Sequence, residues 1–212
     1  MKSLNVIERV ARKSAPGRSP YFVEAHLVKA LIMIDAEGPA GRVKLARTLG
    51  LGEGSARTLI KHLEKEGLIV TSRKGIVLSG VGERLVCSLK TNISQPVEIP
   101  RSSLTVGAFN IAVLVRRAAD VIRAGLEQRD AAIKVGALGA TTLMLSGGRL
   151  TMPSVDEDVF RDSPGIREII VSQLKPQEKD VILIGSANDR LTAEFGAIAA
   201  ALETLKTRGS KA

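Results

Sequence analysis

The sequence predicts an α+β fold that is divided into two domains. Over residues 1–93, apolar residues recur at helical spacing and then alternate in two short segments, which favours several helices followed by a hairpin. Over residues 101–212, strand-like and helical segments follow one another in the order βαββαβα. Two prolines in residues 94–100 disfavour helix in the residues before them, so this segment is predicted to be an extended linker.

Positive charge is concentrated in the first domain. Residues 1–93 hold 16 Lys and Arg against 8 Asp and Glu, whereas residues 94–212 hold 15 against 14. A polyanion would therefore be attracted to the N-terminal half of the chain. With no Trp, one Tyr and four Phe, the chain lacks the aromatic platforms on which unpaired bases stack. The composition thus favours duplex DNA over single strands.

Several other protein classes are disfavoured by composition. Cys87 is the only cysteine, so neither an internal disulfide nor a cysteine-based zinc site is expected. No apolar run reaches the roughly 18 residues that span a bilayer, and the chain does not open with a signal-peptide pattern. We therefore expect a cytoplasmic protein that does not contact a membrane.

The first domain begins with a short amphipathic helix, in which Leu4, Ile7 and Val10 share one face. Glycines and prolines then punctuate a series of short periodic segments. The predicted elements are helices at residues 26–37, 41–49 and 54–66, strands at 68–71 and 76–78, and a last helix at 80–89 that Ser79 can cap.

The three helices at 26–37, 41–49 and 54–66, followed by the hairpin, have the order of a winged helix-turn-helix domain. In such a domain the third helix, here residues 54–66, buries one face and leaves the other free for the major groove. Gly50 or Gly52 can form the turn before that helix. The helix in front of it is expected to turn Val43, Leu45, Ala46 and Leu49 inward. The stripe that the third helix buries is predicted to be Ala56, Leu59, Ile60 and Leu63, and the outward residues are Ser55, Arg57, Thr58, Lys61, His62 and Lys65.

We hypothesise that this domain binds double-stranded DNA. Arg57, near the start of the third helix, is the strongest candidate for base recognition, because a guanidinium can form two hydrogen bonds with guanine. The hydroxyl side chains of the same helix suit bases or phosphates, and the cations at the hairpin tip suit the DNA backbone or the minor groove. The predicted DNA-contacting residues are Arg42, Ser55, Arg57, Thr58, Lys61, Arg73 and Lys74.

The segments Arg42–Ile69 and Gly75–Gly82 resemble the corresponding parts of prokaryotic winged-helix transcription regulators. Gly52 departs from that pattern, which usually has a capping Ser or Thr there. The whole chain also resembles an archaeal family that joins such a domain to a C-terminal domain of unknown function. That resemblance is carried by Phe109–Val115, Glu127–Ile133, Gly139–Thr142 and Ile184–Asp189, and it implies an architecture and an archaeal source, but no activity for the second half.

The second domain is predicted to be an α/β sandwich. Its elements are strands at residues 108–115, 141–145, 149–152 and 180–185, and helices at 117–135, 163–174 and 190–206. Ser146-Gly-Gly148 favours a tight hairpin between the second and third strands, because paired glycines allow positive φ. Without the last helix, the order βαββαβ is that of ferredoxin-like domains, although the order of strands within the sheet does not follow from it.

Two roles are considered for the second domain. A small ligand could be held by Glu127, Arg129, Asp130, Gly185, Ser186, Asn188 and Asp189, since backbone N–H groups between a strand and a helix can bind an anion. Alternatively, or in addition, the domain could form a homodimer through the alanine-rich face of the last helix, which consists of Ala193, Ala197, Ala200 and Ala201.

Catalysis lacks a recognisable residue pattern. The two histidines, His26 and His62, both lie in the first domain and form no nucleophile pattern with Cys87. Asp156–Asp158 is more typical of a solvated turn than of a metal site. We therefore expect no enzyme, no metal and no cofactor. The leading hypothesis is a homodimeric transcription regulator, and its rivals are a protein-interaction scaffold whose winged helix does not bind DNA and, less favoured, a small-molecule enzyme.

Overall fold

Residues 2–11, 22–155, 159–161 and 163–211 are described by a computed structural model, and their contacts group them into one unit that ends at Leu89 and another that begins at Lys90. The first unit is mainly helical and the second is built on an antiparallel sheet, so the predicted α+β class is confirmed. No helix in the described parts of the chain is long and apolar enough to cross a membrane.

The described residues of the first unit form four helices, a two-stranded hairpin and a fifth helix. The helices are α1 (Lys2–Ala11), α2 (Glu24–Glu37), α3 (Arg42–Thr48) and α4 (Glu53–Lys65), and the hairpin strands β1 (Ile69–Ser72) and β2 (Gly75–Leu78) precede α5 (Gly80–Asn92). This is the predicted order, with each boundary within two or three residues of its expected place. Leu27, Leu31, Leu45, Leu59 and Leu63 are fully buried between the helices and form the centre of the core.

The hairpin is joined to the helices by backbone hydrogen bonds. Ala40, between α2 and α3, pairs with Ile76 of β2 in both directions, at N···O distances of 2.8 and 2.9 Å. Ser79 caps α5, since its hydroxyl oxygen accepts hydrogen bonds from the amides of Val81 and Gly82 at 3.2 and 3.1 Å. The cap predicted at Ser79 is therefore present, directly after β2.

The segment predicted to be a linker belongs to the sheet of the second unit. Val97 and Glu98 form β3, which pairs antiparallel with β4 (Phe109–Val115). The backbone is extended, as the prolines indicate, but it fills an edge position instead of joining two domains freely. The helix before it, α5, also runs three residues beyond its predicted end.

The sheet of the second unit has five strands in the order β3-β4-β7-β5-β6, and all neighbours are antiparallel. The remaining elements are helix α6 (Leu126–Lys134), strands β5 (Gly139–Ser146) and β6 (Arg149–Thr151), helix α7 (Pro164–Ile169), strand β7 (Val181–Ala187) and helix α8 (Arg190–Lys211). Strands β4 and β5, which α6 connects, are split by the last strand, β7. In a ferredoxin-like sheet β6 would take that place, so this sheet does not have the ferredoxin-like strand order.

Alternation along the buried strands separates two apolar layers. On one face, Leu114, Leu143 and Ile182 pack with Ile166 and Ile170, which lie in α7 and in the π-helical turn that continues it through Leu174. The residues between them on the strands face α8, where Ile111, Ala187 and Ala193 form a second cluster. Helices therefore cover both faces of the sheet, as a sandwich requires.

The prediction of one long helix over residues 117–135 is wrong. A turn at Arg116 and Arg117 and a 3₁₀ segment (Ala119–Val121) come first, and α6 begins only after Gly125, which has a positive φ of 75°. The buried carboxylate of Asp180 fixes this turn, because it accepts hydrogen bonds from the Arg117 amide at 2.9 Å and from the Arg116 guanidinium at 2.7 Å. Tertiary hydrogen bonds thus override a helical pattern in the sequence.

Candidate nucleic-acid interface

Helix α4 separates its apolar and polar residues as predicted. Ala56, Leu59, Ile60 and Leu63 are all buried. On the other side, Arg57, Thr58 and Lys61 are exposed, and Ser55 is half-buried. The Thr58 hydroxyl donates a hydrogen bond to the Gly54 carbonyl at 3.0 Å, so its proton is used within the helix, although its oxygen can still accept. The exposed face of α4 therefore offers three cations spaced one turn apart, Arg57, Lys61 and Lys65, the last of which is exposed as predicted.

Arg42 and Arg57 are brought together at the surface. With Val43, Glu53 and Ala56 they line a depression of ≈ 140 Å³ between the first turns of α3 and α4. That volume is below the roughly 300 Å³ at which small-molecule pockets begin. The depression is too small to enclose such a ligand, but Arg42 and Arg57 could contact a base edge or a phosphate there, with the Glu53 carboxylate beside them.

Val43 does not face inward as predicted. Its side chain is 71% exposed and lines the same depression as Arg42 and Arg57. The helical period accounts for this, because Leu45 is buried and two residues correspond to a rotation of about 200° around the helix. An apolar side chain beside two arginines is able to contact a thymine methyl group.

The hairpin tip carries the other two predicted cations. Arg73 and Lys74 occupy a two-residue turn between paired Ser72 and Gly75, and both side chains are exposed. The Ser72 hydroxyl accepts a hydrogen bond from the Lys74 amide at 3.2 Å and donates one to the Gly75 carbonyl at 3.1 Å. Gly75 has a φ of 128°, which L-residues rarely adopt. The turn therefore holds both cations at the end of the wing.

His62 was expected to face outward but is half-buried against α1. Its Nδ1 lies 2.9 Å from the Val10 carbonyl oxygen, and its ring meets that of Phe22 edge-on at a centroid distance of 5.6 Å. Nearby, the Arg9 guanidinium forms an ion pair with Glu66 at 2.8 Å. The sequence pattern of α4 alone could not show this, because α1 covers that end of the helix.

His26 is partly buried at the start of α2. Its Nδ1 accepts a hydrogen bond from the Val23 amide at 3.2 Å, so the ring closes the first turn of the helix. Burial lowers the pKa of this imidazole from its ordinary 6.5 to about 4. The ring is neutral at physiological pH, so it adds no charge to the basic surface.

The residues predicted to hold a ligand in the second unit are not gathered into a site. A side-chain carbon at Gly185 would overlap the Ala193 carbonyl oxygen and the Ala197 amide nitrogen, so this glycine allows α8 to approach β7. Ser186 is buried, and its hydroxyl donates to the Asn110 side-chain oxygen at 2.7 Å. Both residues are therefore occupied by contacts within the fold.

The other predicted ligand residues lie at the surface. Asp189 caps α8, since its carboxylate accepts a hydrogen bond from the Thr192 amide at 2.9 Å, and this bond lowers the pKa of the Asp189 carboxyl. Asn188 is exposed in front of it. On α6, Glu127 is exposed, and Arg129 forms an exposed ion pair with Asp130 at 3.1 Å. The predicted ligand site is thus replaced by a cap and a charged helix face.

The dimer surface predicted on α8 is also overturned. Ala193, Ala197, Ala200 and Ala201 have no exposed surface, because they pack against the sheet of their own unit. Small side chains are needed here for the same reason as Gly185, namely the close approach of α8 to the strands. A second copy of the chain would have to bind elsewhere.

Among the described residues, no group of three or more His, Cys, Asp or Glu side chains is placed to hold a metal ion. Asp156–Asp158, which was considered as a metal site, lies outside the described residues. His26 and His62 both belong to the first unit, where their rings contact backbone atoms of neighbouring segments.

Comparisons with known proteins agree with the two-unit division. Residues 27–84 match the family model described as the PH0730-like N-terminal domain, and residues 106–205 match the domain of unknown function DUF4443. The chain is thus similar to a PH0730-like N-terminal domain in its first unit and to DUF4443 in its second. This is the pairing that the archaeal resemblance implied.

Two solved structures illustrate how far the similarity extends. The hypothetical protein PH0730 from Pyrococcus horikoshii OT3 is 25% identical, and the alignment covers 86% of this chain and 98% of that one, with a TM-score of 0.64. The transcriptional repressor CouR, bound to p-coumaroyl-CoA, is 24% identical over 42% of this chain and 64% of its own, with a TM-score of 0.30. The second likeness is too weak to support any conclusion. No curated protein matches the chain by sequence.

Proposed function

We propose that this chain is a sequence-specific regulator of transcription that binds double-stranded DNA through α4 and the wing. The observation that carries the proposal is the polarity of α4, which buries four apolar residues and exposes Arg57 and Lys61 on the opposite side. Arg57 would read a base edge in the major groove, and Arg42 and Lys61 would contact phosphates. Arg73 and Lys74 would contact the backbone or the minor groove.

We assign the second unit to assembly of a homodimer, with no catalytic role. Of the two roles considered for this unit, ligand sensing loses support because Gly185, Ser186 and Asp189 serve the fold itself. A dimer suits the proposed function, because two winged helices related by a two-fold axis can bind two half-sites of an operator. Such a regulator would act in the cytoplasm, where it meets the chromosome.

Binding to a pool of random-sequence duplexes, measured by fluorescence anisotropy across salt concentrations, tests the proposal. We expect affinity to fall steeply as salt rises, because cations that contact phosphates release counterions. After selection of a preferred duplex, R57A should lose about 1–3 kcal/mol of discrimination at one base pair. R73A should weaken binding to all duplexes alike and reduce the salt slope by about one.

The matched control is R167A, which removes one exposed arginine from α7 in the second unit. It lowers the net charge as much as R57A does, but it should leave affinity, specificity and salt slope unchanged. Absence of binding at low salt would refute the proposal and favour a protein-interaction scaffold. Equal weakening by R167A and R57A would show that only net charge attracts DNA.

A further inference from the structure

Helix α6 presents two large apolar side chains to solvent. Leu126 is 51% exposed and Ile133 is 47% exposed, although both lie within a helix whose inner residues Gln128 and Ala132 are buried. Leu126 and Ile133 are seven residues apart, so they lie on one side of the helix, about 10 Å from each other along its axis. Apolar side chains that gather on one surface are typical of interaction sites.

The apolar surface continues beyond the helix. A side-chain carbon placed at Gly139 would contact Val106 and the stem of Arg129 at 3.7 and 3.8 Å, so these two residues are neighbours across the start of β5. Val106 is 67% exposed, and Leu138, directly before Gly139, is exposed as well. We call Leu126, Arg129, Ile133, Val106 and Leu138, together with the charged residues of α6, the α6 surface.

The charges on this helix are arranged to match a reversed copy of itself. Glu127 lies in the first turn and Lys134 in the last, on the same flank of the Leu126–Ile133 stripe, and both are exposed. In two antiparallel copies related by a two-fold axis, the same flanks face each other. Glu127 of one copy would then meet the partner's Lys134, and Leu126 would meet the partner's Ile133. Arg129 and Asp130, near the axis, already form a neutral ion pair.

We propose that the α6 surface is the homodimer interface of this protein, formed by antiparallel packing of α6 against α6 of a second copy. Charge complementarity selects a second copy as the occupant. In a two-fold symmetric contact the same surface is used twice, so each copy supplies both the acidic and the basic residue that pair with those of the other copy. Antiparallel helices also place the positive end of each helix dipole beside the negative end of the other. The proposal rests on the assembly part of the proposed function and is independent of DNA binding.

Sedimentation velocity of the full-length protein tests the interface. We expect wild type to be a dimer, and I133D to be a monomer with dimerisation weakened by about a hundredfold or more, since the change buries an unpaired carboxylate in both halves. The control is V171D, because Val171 has the same 47% exposure in the same unit but lies on the π-helical turn. V171D should remain a dimer. A monomeric wild type, a dimeric I133D or a monomeric V171D would overturn the proposal.

A charge swap tests the antiparallel geometry. E127K and K134E should each weaken the dimer by about three- to tenfold, because each places like charges together in two symmetric contacts. The double variant E127K/K134E should restore wild-type affinity, because opposite charges then meet again between the two copies. The two side chains are too far apart along one helix for the restoration to arise within a single copy. If the double variant dimerises as weakly as the two single effects combined predict, the proposed geometry is wrong.

Anisotropy with random duplexes at low salt separates failure of this proposal from failure of the proposed function. If I133D is monomeric and still binds DNA, both proposals stand. If wild type is a dimer that I133D dissociates but neither binds DNA, only the DNA-binding proposal falls. If wild type binds DNA as a monomer, the α6 interface and the homodimer assembly of the second unit both fall, and DNA binding by the first unit stands.

Discussion

The two units use their predicted site residues in opposite ways. In the first unit, Arg57, Lys61, Arg73 and Lys74 project from the surface, and the core would be complete without them. In the second unit, Gly185 and Ser186 near the end of the buried strand β7, and Asp189 just after it, are used by the fold, for close packing, hydrogen bonding and helix capping. Exposed cations are thus available for a partner, whereas polar residues at the end of a buried strand first serve the strand's own neighbours.

The strongest test of this difference is G185A. A methyl group at Gly185 would overlap backbone atoms of α8, so we expect the second unit to lose about 3 kcal/mol or more of unfolding free energy. Urea denaturation, monitored by hydrogen exchange in peptides from each unit, would measure the unfolding free energy of the two units separately. G165A is the control, since no atom lies within 4 Å of its added carbon. A stable G185A protein would reopen the possibility of a ligand role for this glycine.

A smaller loss is expected for S186A. Its hydroxyl donates to Asn110, which is itself buried, so truncation leaves a buried acceptor without this donor and should cost about 1–3 kcal/mol. N188A, two residues along at an exposed position, should change stability by less than about 0.5 kcal/mol. Thermal denaturation of both variants provides the comparison, and equal effects would contradict the distinction drawn between them.

The two units should also differ in their response to acid. The folded-state pKa of His26 is about 4 against an ordinary 6.5, so the unfolded state binds more protons between these values. The contribution of neutral His26 to the free energy of unfolding is therefore fully present above pH 6.5 and is lost as the pH falls from 6.5 to about 4. The pKa of Asp189 is lowered from 3.8, so its contribution is present above pH 3.8 and is lost at still lower pH. The first unit should weaken first.

The variant H26Q should remove that difference, because glutamine can accept the hydrogen bond from Val23 but does not titrate. After discounting for the partial exposure of the ring, we expect the pH-dependent loss in wild type to be about 1 kcal/mol. Hydrogen exchange of α2 peptides between pH 6.5 and 4 would measure it. Identical pH profiles for H26Q and wild type would contradict the role of His26.

The smallest expected effect concerns the first turn of α4. Gly52 occupies the N-cap position in extended backbone without a side-chain cap, and the space around it is open. G52S should stabilise the first unit by about 0.5 kcal/mol, since serine can cap the helix and restricts the unfolded chain. G52A, which restricts the unfolded chain in the same way but has no capping oxygen, is the control. Thermal denaturation should separate the two; a gain in both would point to glycine removal alone.

The first unit could be predicted from the sequence almost completely, because its elements are defined by local patterns. Helical periodicity in α4, the glycine-bounded turn at Gly50 and the cap at Ser79 each depend on residues a few positions apart. Exposure of Arg57 and Lys61 followed from the same period. Two predictions failed there. Val43 lies in α3, which is too short for its periodicity to separate buried from exposed positions, and His62 lies on a surface of α4 that α1 covers.

In the second unit, only the tertiary structure decided which residues remain available. Asp180 breaks the predicted long helix from 63 positions away, and α8 buries both Gly185 and its own alanines. Contacts between distant segments leave no periodic pattern in the sequence, so they could not be predicted. Local patterning and charge were sufficient to predict the α+β class and the basic face of α4. The strand order and the exposed stripe on α6 were set by packing.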